Sequence, residues 1–382
     1  MRAVAILGIG QTRIDEQWEL SIRQIAAEAV RAALTDAGRE RAGGMFISNM
    51  MSGILDTQNN LAALVADFSG LRGVEAVKID AACGSGGAAM RAGLMAVASG
   101  EMDSALVVGV EKMTDRHPHE VTAALATAAD ADFEVDMGVS FIGLNALIMR
   151  RYMHENGWKH ADFAPFAINA HANALHNPYA RLHTAITVED FERSAMIATP
   201  INLLDASPIG DGAAAIYLVP AESVDKRKRI LVAGSAAASD TLAFHDRADG
   251  LFLSAAHRSA QDAYEQAGVG PGDIDVFELH DAFTIMTALS LEACGFAARG
   301  QGVRLGLDGD ILPTGRIPVT TRGGLKARGH PVGATGVYQI VEAVQQLRGE
   351  CGQTQIPEAG IAMTQNIGGS GASIITHILK RG

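Results

Sequence analysis

The chain has 382 residues, 48% of them hydrophobic, enough for a large core and about two domains of similar size. Its net charge of −12 argues against general nucleic-acid binding, since a phosphate backbone selects a basic face, so any anionic ligand must be held locally. Three cysteines without close pairs exclude a disulfide framework and a CxxC metal clip, and a reducing cytoplasm is the expected setting. The opening MRAVAILGIGQTR reads as a first buried strand, its apolar stretch too short for a signal peptide. SIRQIAAEAVRAALTDAG has helical periodicity and ends on a glycine. GMFISN, AVKIDA and SALVVGVE are further strands, with the helix GGAAMRAGLMAVASGE between the last two. Residues 113–200 follow, rich in His, Asn and Met, with helical stretches such as SFIGLNALIMRRYM. The charged run ESVDKRKRI marks a boundary. Beyond it come the strand RILVAGSA, the helix AAHRSAQDAYEQAG, the strand DVFELHD, the helix in GHPVGATGVYQIVEAVQQLRGE and a last strand, GIAMTQNIG. Helices alternating with Val/Ile-rich runs predict sheets covered by helices. No apolar run reaches bilayer length, and the closing ILKRG carries no peroxisomal or retention tripeptide.

The order of elements occurs twice. RQIAAEAVRAALTDAG ends at Gly38 before one strand, and AAHRSAQDAYEQAG ends at Gly268 before another. In each half a Gly-rich turn then opens a helix ending in Gly-Glu, and a strand follows. This predicts an internal duplication, with domains at 1–225 and 226–382. Residues 113–200 have no counterpart in the second half and are expected to form a loop domain over a site.

Cys83 lies in KIDAACGSGGAAMRAG, between a strand and a helix start. Helix-start amides favour a thiolate, and Gly84, Gly86 and Gly87 permit close approach of substrate, so an activated nucleophile is one reading. A small core cysteine is the other, and on position alone the two weigh about equally. The second repeat decides between them, because its turn KARGHPVGATG carries His330 where the first carries Cys83. If both helix starts converge, an imidazole base meets a thiol. FELHDAFT places His280 and Asp281 at a strand end, where open α/β sheets carry their sites. TQNIGGSGA supplies a glycine turn whose amides can line an oxyanion hole with that of Cys83.

DAACGSGGAA, HDAF, GLKARGHPVGATG and NIGGSGA, in this order, resemble the thiolase superfamily. The resemblance is strongest to the branch holding sterol-carrier-protein-type and archaeal acetoacetyl-CoA thiolases, and it spans nearly the whole chain. It implies an α/β thiolase fold of two duplicated halves in a five-layered α-β-α-β-α core. It implies a Cys83 acyl-thioester, His330 taking the thiol proton, and His280 in the oxyanion hole for an enolate. The backbone of Gly368, with that of Cys83, is implied as the second oxyanion hole. A coenzyme A thioester is then the substrate, with no permanently bound cofactor and no metal, and a homodimer or dimer of dimers is implied. One departure stands out. The places of the second thiolase cysteine, which moves a proton at the substrate α-carbon, hold Ala282 and Asn366.

Cys294, if the stretch from His280 is helical at 1.5 Å per residue, lies roughly 20 Å away, and Cys351 follows the helix beyond His330, so both are expected to be structural. The set Cys, His, His is also that of ketoacyl synthases, though GHPVGATG and HDAF are thiolase forms. His117, His119, His171, His176 and His183 lack a metal-ligand spacing and are expected to be solvated or to line substrate. DKRKR, residues 225–229, reads as a solvated linker face, and SNMMSGILD as core or subunit interface. Two functional classes result. One is a thiolase condensing or cleaving acyl-CoA. The other is an acyltransferase or retro-aldolase dependent on a partner with an OB fold and a zinc ribbon. An intact Cys83 with both histidines weighs against a non-catalytic lipid-binding subunit.

Overall fold

The computed structural model describes residues 2–226 and 229–382, so Arg227 and Lys228 of the DKRKR run lie outside the described residues. The first half contains β1 (Val4–Gln11), α1 (Ile22–Ala37), β2 (Gly44–Ser48), α2 (Ser52–Leu55), α3 (Leu61–Phe68), β3 (Glu75–Ile79), α4 (Ser85–Ser99) and β4 (Ala105–Glu111). An insertion follows, with α5 (Pro118–Ala126), α6 (Phe141–Asn156), α7 (Ala164–Ala174), α8 (Val188–Arg193), β5 (Met196–Ala198) and β6 (Ile201–Asn202). β7 (Gly212–Pro220) completes the half. The second half runs β8 (Ile230–Ser239), α9 (Ser254–Ala267), β9 (Val276–Glu278), α10 (Thr284–Ala293), α11 (Gly302–Leu307), α12 (Thr335–Arg348), β10 (Ile361–Gly368) and β11 (Ser373–Arg381).

The strand order β3-β2-β4-β7-β1-β8-β11-β10-β9 contains the duplication. In the first half β2 runs parallel to β3 and β4, and β7 pairs antiparallel with β4 and β1. In the second β9 runs parallel to β10, and β11 pairs antiparallel with β10 and β8. A parallel bridge from Phe277 to Val319 stands where β2 meets β3. Among the described residues, the half-sheets join edge to edge through Ala5 with Leu231 and Ile6 with Ile230. Helices α1 and α3 cover the outer face of the first, α9 covers that of the second, and α4 and α12 lie between, each touching both. The layers are the expected α-β-α-β-α.

Matching helix ends confirm the repeat. Gly38 and Gly268 close α1 and α9 at φ 62° and 64°, and Gly100 and Gly349 close α4 and α12 at 92° and 77°. All four sit in the left-handed region that favours glycine. Where α4 crosses α12, a Cβ on Gly86 would lie 2.7 Å from the Cα of Gly336, so the two backbones touch.

Besides the short pair β5 and β6, two strands of the nine-stranded sheet are additional to those read from the sequence. β7, reading GAAAIYLVP, is buried throughout, and β11 nearly so, so neither alternates. The glycine turn after β10 is therefore not the end of the sheet but the link to β11. The insertion also extends beyond residue 200, filling the whole connection from β4 to β7, whereas β10 and β11 are joined by residues 369–372 alone. The boundary expected after residue 225 falls between β7 and β8. No helix among the described residues is long and apolar enough to cross a membrane.

Candidate active site

Cys83 is presented by a strained turn between β3 and α4. Ala82 has φ 52°, a conformation costing an L-residue about 1–2 kcal/mol. Neighbouring side chains hold it there. The Asp80 carboxylate accepts the Ala82 N–H at 2.8 Å, and Ser85 Oγ accepts the Ala81 N–H at 2.8 Å while donating to the Ala82 carbonyl at 2.6 Å.

The His330 turn is built from two directions. Asp281, of the HDAF motif, accepts the amides of Leu325 at 2.7 Å and Lys326 at 3.4 Å and so shapes the chain leading to the histidine. The His330 N–H donates to the Pro208 carbonyl at 2.9 Å, at the end of the insertion. His330 Nδ1 lies 2.7 Å from Thr335 Oγ1, whose own proton goes to the Pro331 carbonyl at 3.5 Å. An Nδ1–H donating to that hydroxyl leaves the lone pair on Nε2. Counted from the helix starts, His330 stands five residues before α12 and Cys83 two before α4, so Gly333 rather than His330 matches Cys83. The helix starts do converge. Buried Glu111, ending β4, accepts the amides of Gly333 at 2.8 Å, Met50 at 2.9 Å and Met51 at 3.0 Å, stapling the second-half turn to the first half.

Cys83, His280 and His330 line one largely apolar cavity of about 230 Å³, with Ala282, Gly369, Phe283, Met286 and Ile367. The insertion contributes Val121, Leu125, Phe141 and Ile142. The two imidazoles sit edge to face, 5.2 Å between centroids at 83°. Asn366 bridges the halves: its Oδ1 accepts the Gly87 N–H at 2.9 Å, and its Nδ2 reaches the Cys83 carbonyl at 3.0 Å and His280 Nδ1 at 3.2 Å.

Burial dominates the electrostatics. The Cys83 thiol is pushed up to about 12, first by desolvation and then by the Glu111 carboxylate. The N–H groups of Cys83 and Gly369 pull the other way without prevailing. The thiolate expected from the helix start is thus not obtained, because loss of water outweighs the amide dipoles. Burial, then Arg328, lowers His330 to about 3. Burial, then the His330 and Arg328 charges, holds His280 well below the usual range. A neutral thiol therefore faces neutral imidazoles, the starting point of general-base rather than ion-pair activation.

The amide turned to the sulfur is that of Gly369, while Gly368 ends β10 and accepts the Ala372 N–H at 3.1 Å. The amide next to the sulfur is thus one residue beyond the Gly368 expected from the sequence. Cys294 and Cys351 are buried away from the cavity wall, the former's sulfur accepting from Gln365 Nε2 at 3.2 Å. Among the insertion's histidines, His171 and His183 bond the carbonyls of Thr184 and Asn177 at 2.9 Å, and His117 stacks on His119. Met50 and Met51 are core residues packed near Val332. Sequence reasoning missed Glu111 and the 206–209 segment, where the Ser207 N–H donates to the Ala282 carbonyl at 2.9 Å. It met Asn366 only as a missing cysteine.

Comparison with known proteins agrees with this geometry. The family described as thiolase, N-terminal domain, matches residues 4–222, and that described as thiolase C-terminal domain-like matches 236–381. An acetyl-CoA acetyltransferase of Methanothermobacter thermautotrophicus is 44% identical over the full length of both chains. The benzoylsuccinyl-CoA thiolase subunit BbsB of Thauera aromatica is 33% identical over 96% of this chain and 95% of its own. Among solved structures, the Ltp2-ChsH2(DUF35) aldolase superposes with a TM-score of 0.85 at 26% identity, covering 99% of this chain and 98% of that one. With both halves matched and the motifs assembled around one cavity, the chain belongs to the thiolase family.

Proposed function

We propose that the protein is an acyl-CoA C-acyltransferase of the acetyl-CoA acetyltransferase type, making or cleaving a carbon–carbon bond through a Cys83 thioester. The observation that carries this is the meeting of one thiol and two neutral imidazoles in a single apolar cavity where the halves converge. His330 Nε2 takes the thiol proton as the sulfur attacks the acyl-CoA carbonyl. The amides of Cys83 and Gly369 receive the developing oxyanion, and the departing coenzyme A thiolate takes the proton back. In condensation His280 holds the enolate oxygen of the second acyl-CoA, whose α-carbanion attacks the acyl carbonyl of the thioester and releases the Cys83 thiolate, which regains its proton from the protonated base. With alanine and asparagine at the second cysteine's places, His330, neutral again after the first step, is the base for the α-proton.

Coenzyme A enters as substrate, not as a resident cofactor. Free cysteines fit a cytoplasmic setting, the open edge of β3 fits a homodimer, and acyl-CoA chemistry fits lipid metabolism. Incubation with acetyl-CoA should add one acetyl mass that maps to Cys83, and acetoacetyl-CoA with free coenzyme A should yield acetyl-CoA. No adduct on a folded protein would remove the reading. A partner-dependent acyltransferase or retro-aldolase is the second reading, favoured by Ala282 and Asn366 and by a structural neighbour whose name joins two proteins. Carbon–carbon turnover that appears only with a co-purified OB-fold, zinc-ribbon protein would select it.

A further inference from the structure

Asn366 occupies the place of a cysteine that works as acid and base, yet its geometry is that of a strut. Its amide orientation is determined twice over. The Gly87 N–H at 2.9 Å can only donate, so the atom facing it is Oδ1, and the Cys83 carbonyl at 3.0 Å can only accept, so the atom facing it is Nδ2. That same Nδ2 lies 3.2 Å from His280 Nδ1, and a donor there requires Nδ1 to accept. His280 must then carry its proton on Nε2, the ring nitrogen left to the cavity. The base role proposed for His330 calls for the opposite tautomer, with Nδ1–H on the Thr335 hydroxyl 2.7 Å away.

We infer that Asn366 is a positioning residue that sets the tautomer of His280, turning it into a neutral hydrogen-bond donor toward substrate while His330 remains the base. The inference rests on the acyltransferase reading for its role in the enolate step, but the tautomer itself does not. Both residues are buried, so water does not compete for the Nδ1 position. The arrangement divides the work of two chemically identical side chains: one ring is locked as a donor by an amide, while the other rests on a hydroxyl that accommodates the base.

The test is ¹⁵N NMR of protein labelled at histidine, with His280 assigned by difference from His280→Gln. Wild type should show a pyridine-type Nδ1 and a protonated Nε2 for His280 at neutral pH. A protonated Nδ1 would overturn the inference whether or not the enzyme turns over. Asn366→Asp keeps the shape but offers a carboxylate to Nδ1, so the proton should move to Nδ1 and Nε2 become an acceptor. The carbon–carbon step should then fall about 100-fold, the usual cost of one oxyanion donor, and acylation far less. That loss should recover as the pH is lowered and the imidazolium restores Nε2–H, a pH limb wild type lacks. A tautomer unchanged in Asn366→Asp, or a loss independent of pH, would overturn the proposal. In His280→Gln, whose amide donates from the Nε2 position without help, the Asn366→Asp penalty should largely disappear. An undiminished penalty there would assign Asn366 a purely structural role. Failure of Cys83 to acylate would sink the acyltransferase reading and leave the tautomer result standing.

Discussion

The starts of α4 and α12 are the same structural position used for opposite purposes. Each helix begins with a hydroxyl residue that organises the turn before it: Ser85 bonds the backbone of Ala81 and Ala82, and Thr335 bonds the His330 ring. Each is followed by a glycine where the helices cross. The first turn is short, strained at Ala82 and presents a thiol. The second is longer, anchored by Asp281, Glu111 and Pro208, and presents a base. Equivalent backbone therefore supplies the place, and the length of the approach supplies the chemistry.

Removing the thiol breaks this comparison most completely. Cys83→Ala should lower acyl transfer by about 10⁴-fold or more and abolish the acyl adduct in intact mass spectra. His330→Ala should slow acylation by about 10³-fold, read from single-turnover release of coenzyme A, because the other imidazole of the cavity, His280, has its accepting nitrogen tied to Asn366. At the crossing, Gly86→Ala sets a methyl carbon 2.7 Å from the Gly336 backbone and should cost about 3 kcal/mol in denaturant melts, a larger loss than alanine at most surface sites. Ala282→Cys adds a thiol to the cavity wall without disturbing Asn366 and should raise the carbon–carbon step about tenfold, with acylation unchanged. Asn366→Cys, at the alternative family position, loses three hydrogen bonds and should not. The smallest effect is that of pH. With His330 lowered to about 3, its basic form persists far below the ordinary imidazole value, so acylation should vary less than about twofold between about pH 5 and 8. A limb near pH 6.5 in stopped-flow acylation would show an ordinary imidazole. The linked stability has the same sign: an imidazole kept neutral in the fold contributes in full above about 6.5 and loses that contribution as the pH falls below it.

Much of this was legible in residues alone. The duplication showed in glycine helix ends, because a left-handed cap selects glycine wherever it occurs. Cys83 and His280 showed because each follows a strand, and His330 because it stands in a turn of small and motif residues that opens a helix. β7 and β11 did not, since strands buried on both faces carry no period for a reader to detect. Nor did the direction of the thiol's shift, which depends on how deeply the turn is covered. The part played by Asn366 was out of reach for another reason: it lies 279 positions from Gly87 and 283 from Cys83 in sequence, and these contacts exist only once the halves close.

The crossing at Gly86 and Gly336 places a residue against its own image, as at the axis of a homodimer. In a true dimer of half-chains every substitution would appear on both sides, and a thiol introduced at one helix start would face a second thiol at the other. Joining the halves in one chain removed that constraint. Mutation could then alter one side of the axis alone, leaving a single asymmetric site in which a nucleophile meets something other than itself.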